Sequence, residues 1–97
     1  MNWTDVERRR KNEETFARAN EEIRRAAVFN HVDPVPFICE CSATNCVELV
    51  RLTLDGYREV RESGGFMIRP GHDDPHVETV VEDHGAYQVV EKFRSPT

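Results

Sequence analysis

The sequence predicts an α+β fold: a long N-terminal helix packed on a small, mostly antiparallel sheet that carries a cysteine knuckle and ends in a β-hairpin. Three observations predict it. Residues 7–30 contain neither glycine nor proline and are dense in Glu, Arg and Ala, residues that favour helix. From residue 37 the chain changes to short runs rich in β-branched residues, separated by Gly and Pro. Between those regions three cysteines fall within residues 39–46. With 97 residues the chain can build one cored domain but not two. We therefore read 1–97 as a single domain, with the helix in 1–30 and the knuckle and sheet in 37–93.

Thr4-Asp5-Val6-Glu7 matches a capping box, in which the hydroxyl and the carboxylate each satisfy an orphan N–H of a starting helix. Phe16, Ala19, Ile23 and Ala26 or Ala27 then recur at helical spacing and form a narrow stripe toward the core. The run Arg8-Arg9-Arg10-Lys11 followed by Glu13-Glu14 reads as a solvated face. Trp3, with Val6, sits at the weakest part of the helix and is a candidate anchor for a partner or a second copy. Asp33-Pro34-Val35-Pro36 stops the helical region, and Phe37-Ile38 leads into the cysteines. Val47 to Leu52 reads as a strand. Thr53 is placed to cap a short helix over Leu54 to Arg61, with Leu54, Tyr57 and Val60 or Arg61 on one side and Ser63-Gly64-Gly65 as its stop. Phe66-Met67-Ile68 is a second strand ended by the turn Pro70-Gly71. Two period-2 runs, His76 to Glu82 and Ala86 to Phe93, flank Asp83-His84-Gly85 as a hairpin would, and residues 94–97 read as a frayed tail.

The composition narrows the function. Asp and Glu number 18 against 13 Lys and Arg, a formal charge of -5, which opposes binding to a polyanion. The charge is unevenly placed: residues 1–27 are net +1 and residues 28–97 net -6. An apolar content of 38% that includes six alanines makes a thin core, and small chains with thin cores usually carry a disulfide, a metal or a partner as a staple. Three cysteines so close together would close only tiny disulfide loops and leave one thiol over. No run is apolar enough for a secretion signal or a membrane span. Both points suggest a reducing cytoplasm, where clustered cysteines more often bind metal.

Cys39-Glu40-Cys41-Ser42-Ala43-Thr44-Asn45-Cys46 is C-x-C-x4-C. Three thiolates share a tetrahedral ion when their sulfurs lie roughly 3.7 Å apart, the spacing set by Zn–S bonds of about 2.3 Å. A bend between Cys39 and Cys41 and a small polar turn back to Cys46 would bring them there. The preferred fourth ligand is His72, because Pro70-Gly71 forces a turn just before it; His76, His31, His84, Asp73 or water remain alternatives. Three thiolates and one imidazole suit Zn2+ better than a redox metal, although mononuclear iron has the same geometry.

Those ten residues from Phe37 to Cys46 resemble the post-SET zinc motif of lysine methyltransferases, which also gathers three close cysteines and takes its last ligand from elsewhere. Nothing else in the chain resembles a SET domain, so no methyl-donor cofactor is carried over. A broader resemblance covers most of residues 8–92: the order F-x-C-E-C, L-T-L-x-x-Y, V-R, P-G-H and V-V-E is similar to a group of small uncharacterised bacterial proteins. It lends no function, but it implies that Cys39, Cys41, Cys46 and His72 form one zinc-binding unit.

These readings lead to a small zinc-stabilised domain acting as a protein-interaction or regulatory adaptor in the cytoplasm, with a structural metal, another protein as its partner and no membrane. Two alternatives accompany it. A metal-dependent hydrolase would need an open coordination position and a general base, for which Glu40, Asp73, Asp74 or His76 are the candidates. A nucleic-acid-associated regulator would use Arg8, Arg9, Arg10 and Lys11 on phosphates, against the acidity of the rest of the chain.

Overall fold

The computed structural model describes residues 3–41, 43 and 46–93, with side chains along the first helix from Glu14 onward. Helix α1 spans Trp3–Phe29. At 1.5 Å per residue it is about 40 Å long, matching the longest molecular dimension of 43 Å. The capping box, the Trp3 and Val6 side chains, the Arg8–Lys11 block and the 94–97 tail lie outside what is described.

The α+β class holds, with a difference in the sheet: the strands form two small antiparallel sheets rather than one. Strand β1 (Val35–Ile38) pairs with β2 (Leu49–Leu52). Helix α2 (Leu54–Glu62) then leads to β3 (Phe66–Ile68), and β3, β4 (Glu78–Asp83) and β5 (Gln88–Lys92) form the second sheet in the order β3-β5-β4. The hairpin β4–β5 contains a bulge between Val80 and Glu82, so that both Val80↔Val90 and Glu82↔Val89 pair and Val81 is the extra residue.

Strand β1 is the element that sequence reading missed, because two prolines frame it. Pro36 sits inside the strand yet costs no ladder bond. Ile38, two residues on and facing the same edge, turns both its N–H and its C=O away from β2 to the side-chain amide of Asn20 on α1, each at 2.8 Å. The donor that Pro36 lacks therefore faces an edge with no strand partner, where proline is tolerated. Asn20 is fully buried and takes the place of a neighbouring strand. Its i+3 neighbour Ile23 packs against the core and Ala27 is within it, whereas Ala26 is exposed.

Val35 and Phe37 of β1 lie opposite Leu52 and Val50 of β2, and all four are buried. Phe37 stacks on Tyr57 of α2 with ring centroids 4.5 Å apart. Val60, Met67, Ile68, Val89 and Val90 complete a core that lies between the sheets and the two helices. Helix α2 matches its expected span to within a residue. Thr53 caps it by accepting the Gly56 N–H at 3.0 Å, and Asp33 accepts the Leu54 N–H at 3.0 Å. No described helix is long and apolar enough to cross a membrane.

Candidate metal centre

The connection between β1 and β2 carries Cys39, Cys41 and Cys46, and the turn after β3 carries His72. The Cys39 and Cys41 sulfurs belong to one group of donors, while Glu40 between them binds Arg61, Asn20 and Met67. Both sulfurs thus turn to one side and the Glu40 carboxylate to the other. The segment is pinned from two directions: the Cys39 N–H donates to Glu48 C=O at 3.0 Å, prolonging the β1–β2 ladder, and the Glu40 N–H donates to Met67 C=O of β3 at 2.8 Å. The two sheets meet here.

One donor atom from each of Cys39, Cys41, Cys46 and His72 lies within 4.8 Å of all the others, a group that could hold a metal ion. His72 faces it through Nδ1, 3.7 Å from Cys39 Sγ and 3.6 Å from Cys46 Sγ. A tetrahedral ion with metal–sulfur bonds near 2.3 Å and metal–nitrogen bonds near 2.05 Å requires a sulfur–nitrogen edge of roughly 3.6 Å. The His72 edges to Cys39 and Cys46 therefore already stand at coordination spacing.

The surroundings suit an ion. Cys39 Sγ accepts the Arg69 N–H at 3.3 Å and the Cys41 N–H, and Cys41 Sγ accepts the Ala43 N–H. Backbone donors of this kind satisfy the lone pairs that a metal leaves on sulfur. Burial pushes the Cys39 thiol up to about 12, outweighing those donors, and burial raises Cys41 as well. Without a cation both keep their protons at neutral pH, so an ion must displace them. The turn bearing His72 is itself held, since Gly71 at φ 82° donates its N–H to Gln88 Oε1 of β5 at 3.1 Å.

The alternative fourth ligands fall elsewhere. His31 ends α1, His76 is exposed in the loop before β4, and His84 sits in the hairpin turn stacked on Tyr87 and 3.0 Å from Glu82. Asp73, half-buried, is outside the group of four donors.

Glu40 corrects one sequence expectation. As a candidate general base it should face the metal; instead it is fully buried on the opposite side. Its carboxylate is paired with the Arg61 guanidinium of α2 and accepts the Asn20 amide at 2.7 Å and the Met67 N–H at 3.1 Å. Arg61 lies over the Tyr57 ring at 4.9 Å, and the Tyr57 hydroxyl donates to Glu21 Oε2 of α1 at 2.9 Å. Sequence reasoning missed Asn20 and Arg61 in these roles. The available signal was an asparagine inside the apolar stripe and an arginine on the apolar side of α2.

No family model, curated protein or solved structure matches the chain.

Proposed function

We propose that this chain is a small zinc-stabilised adaptor domain, working through contacts with another protein and using its metal as a structural staple. The observation that carries the reading is the convergence of three cysteines and one histidine, whose donor atoms all lie within 4.8 Å of one another. Four donors saturate a tetrahedral ion and leave no position for a substrate or activated water, and three-cysteine, one-histidine sets are typical of closed zinc sites. Zinc is favoured over iron because the donors mix soft thiolate with imidazole, the set typical of closed zinc sites. A hydrolase reading loses Glu40 as a base, since that carboxylate is already paired with Arg61.

The interaction half of the reading draws support from exposed apolar residues at the end of α1, where Phe29 is 84% exposed beside Val28 and Val32. Free thiols and the resemblance to small bacterial proteins favour a bacterial cytoplasm.

Elemental analysis of the purified protein tests the metal: one zinc per chain is expected, with a large fall in melting temperature on chelation. Protein free of zinc and iron whose melting temperature ignores chelator would overturn the reading. Phe29→Asp tests the surface, since it should keep the fold and lose partners captured from extract at moderate salt; unchanged capture by that variant removes this face as the docking site.

A further inference from the structure

Resting on the structural-metal reading above, we propose that Cys46 is the reactive thiolate of the centre, where hydroperoxides and electrophiles open it, and that oxidation joins Cys46 to Cys41 and discharges the ion. The centre has a held half and a loose half. Cys39 and Cys41 are 0% and 1% exposed, and both sulfurs accept backbone N–H donors. Glu40 between them is bound through its own N–H to β3 and through its carboxylate to Arg61, Asn20 and Met67. Neither cysteine can turn outward without breaking this set.

Cys46 differs in burial and in how its backbone is held. It is only half-buried, and its neighbour Val47 is 87% exposed. Its backbone N–H reaches Ala43 C=O at a long 3.4 Å. Among thiolates bound to one ion, the accessible sulfur is the one an electrophile meets first. The Cys41 thiol is in contact with both Cys46 and Cys39, so a disulfide partner for Cys46 is already adjacent. Joining Cys39 to Cys41 would instead close a ring across a single intervening residue, at the expense of the Glu40 bonds.

The chemistry balances with a hydroperoxide as the oxidant. The Cys46 thiolate attacks the peroxide O–O bond, giving a sulfenic acid and releasing hydroxide, or an alkoxide from an organic peroxide. The Cys41 thiolate then attacks the sulfenic sulfur, expelling a second hydroxide and forming the S–S bond. The two sulfurs supply the two electrons, the departing oxygens take up two protons from solvent, and the ion keeps only Cys39 and His72, too few to retain it.

The experiment uses the metal-loaded full-length protein with its zinc content measured first. Under limiting N-ethylmaleimide, peptide mass spectrometry should place the first label on Cys46, at least about tenfold faster than on Cys39 or Cys41. Under hydrogen peroxide, zinc release read with a chromophoric chelator should track a Cys41–Cys46 disulfide one for one. Zinc present but labelling spread evenly, or release accompanied by a Cys39–Cys41 disulfide, overturns this proposal and leaves the structural-metal reading standing. A chain that holds no metal overturns both.

Discussion

Glu40 is flanked by two metal-donor cysteines, yet its carboxylate binds α1, α2 and β3 instead of the ion. A fully buried carboxylate is tolerable only with a charged partner and its remaining lone pairs satisfied. Arg61, Asn20 and the Met67 N–H provide both. Removing the cation alone should therefore be worse than removing the whole pair. We expect Arg61→Met to destabilise the protein by about 3 kcal/mol, the usual cost of stranding a buried charge. Glu40→Gln should cost less, because its amide oxygen still accepts the Met67 N–H. The double variant Glu40→Leu/Arg61→Met should recover part of the loss. Urea unfolding of the three proteins checks the order, and Arg61→Met costing under about 1 kcal/mol would show the pair to be incidental. At this scale the sequence displayed the donors but not their support. Three cysteines within residues 39–46 have few bland readings, whereas Asn20 and Arg61 are common helix-surface residues whose burial depends on what the rest of the chain brings to them.

Element ends carry their own chemistry. Helix α1 closes with a Schellman arrangement: Val32 N–H donates to Ala27 C=O at 2.9 Å and His31 N–H to Val28 C=O at 3.3 Å, with His31 at φ 58°. That conformation suits glycine. His31→Gly should stabilise the protein by up to about 1 kcal/mol, the left-handed penalty relieved less the added flexibility of the unfolded chain. Helix α2 closes the same way but already has Gly64 at φ 78° there. The next residue, Gly65, is required for another reason: an added Cβ would stand 2.7 Å from Val89 Cγ1 and 3.2 Å from the Val90 carbonyl of β5. Gly65→Ala should cost about 1–3 kcal/mol by overpacking, so the two substitutions shift the melting temperature in opposite directions. A lower melting temperature for His31→Gly together with an unchanged or higher one for Gly65→Ala would mean that neither end is as described. Elements with strong local signals were legible, namely α2 between Thr53 and its glycine stop, β3 before Pro70, and the hairpin. Strand β1 was not, because tolerance of Pro36 depends on α1 occupying the outer edge, and no local window contains that fact.

For the whole molecule, the metal centre joins parts that the backbone leaves far apart. Cys39, Cys41 and Cys46 belong to the β1–β2 connection and His72 to the turn leaving the second sheet, so an ion would tie the two sheets beside the hydrogen bonds from Glu40 to Met67 and from Arg69 to Cys39. Two small sheets rather than one explain why a thin core needs such a tie, and this is the part of the fold that periodicity could not show, since strands of either sheet look alike in sequence. Stability should then follow metal occupancy, and occupancy should follow pH. Burial raises the Cys39 and Cys41 thiols in the metal-free fold, Cys39 to about 12, and in an unfolded chain ordinary thiols near 8.5 are also protonated at neutral pH. Either way binding expels at least the protons of these two residues. Falling pH therefore weakens the site, by roughly a hundredfold or more in affinity per pH unit if two protons leave. Competition against a chelator of known proton-linked affinity at pH 6.5, 7.0 and 7.5 measures that slope. A dependence shallower than about one decade per unit would mean that the ion is not held by both buried thiolates, and the staple would have to be sought in Cys46 and His72 instead.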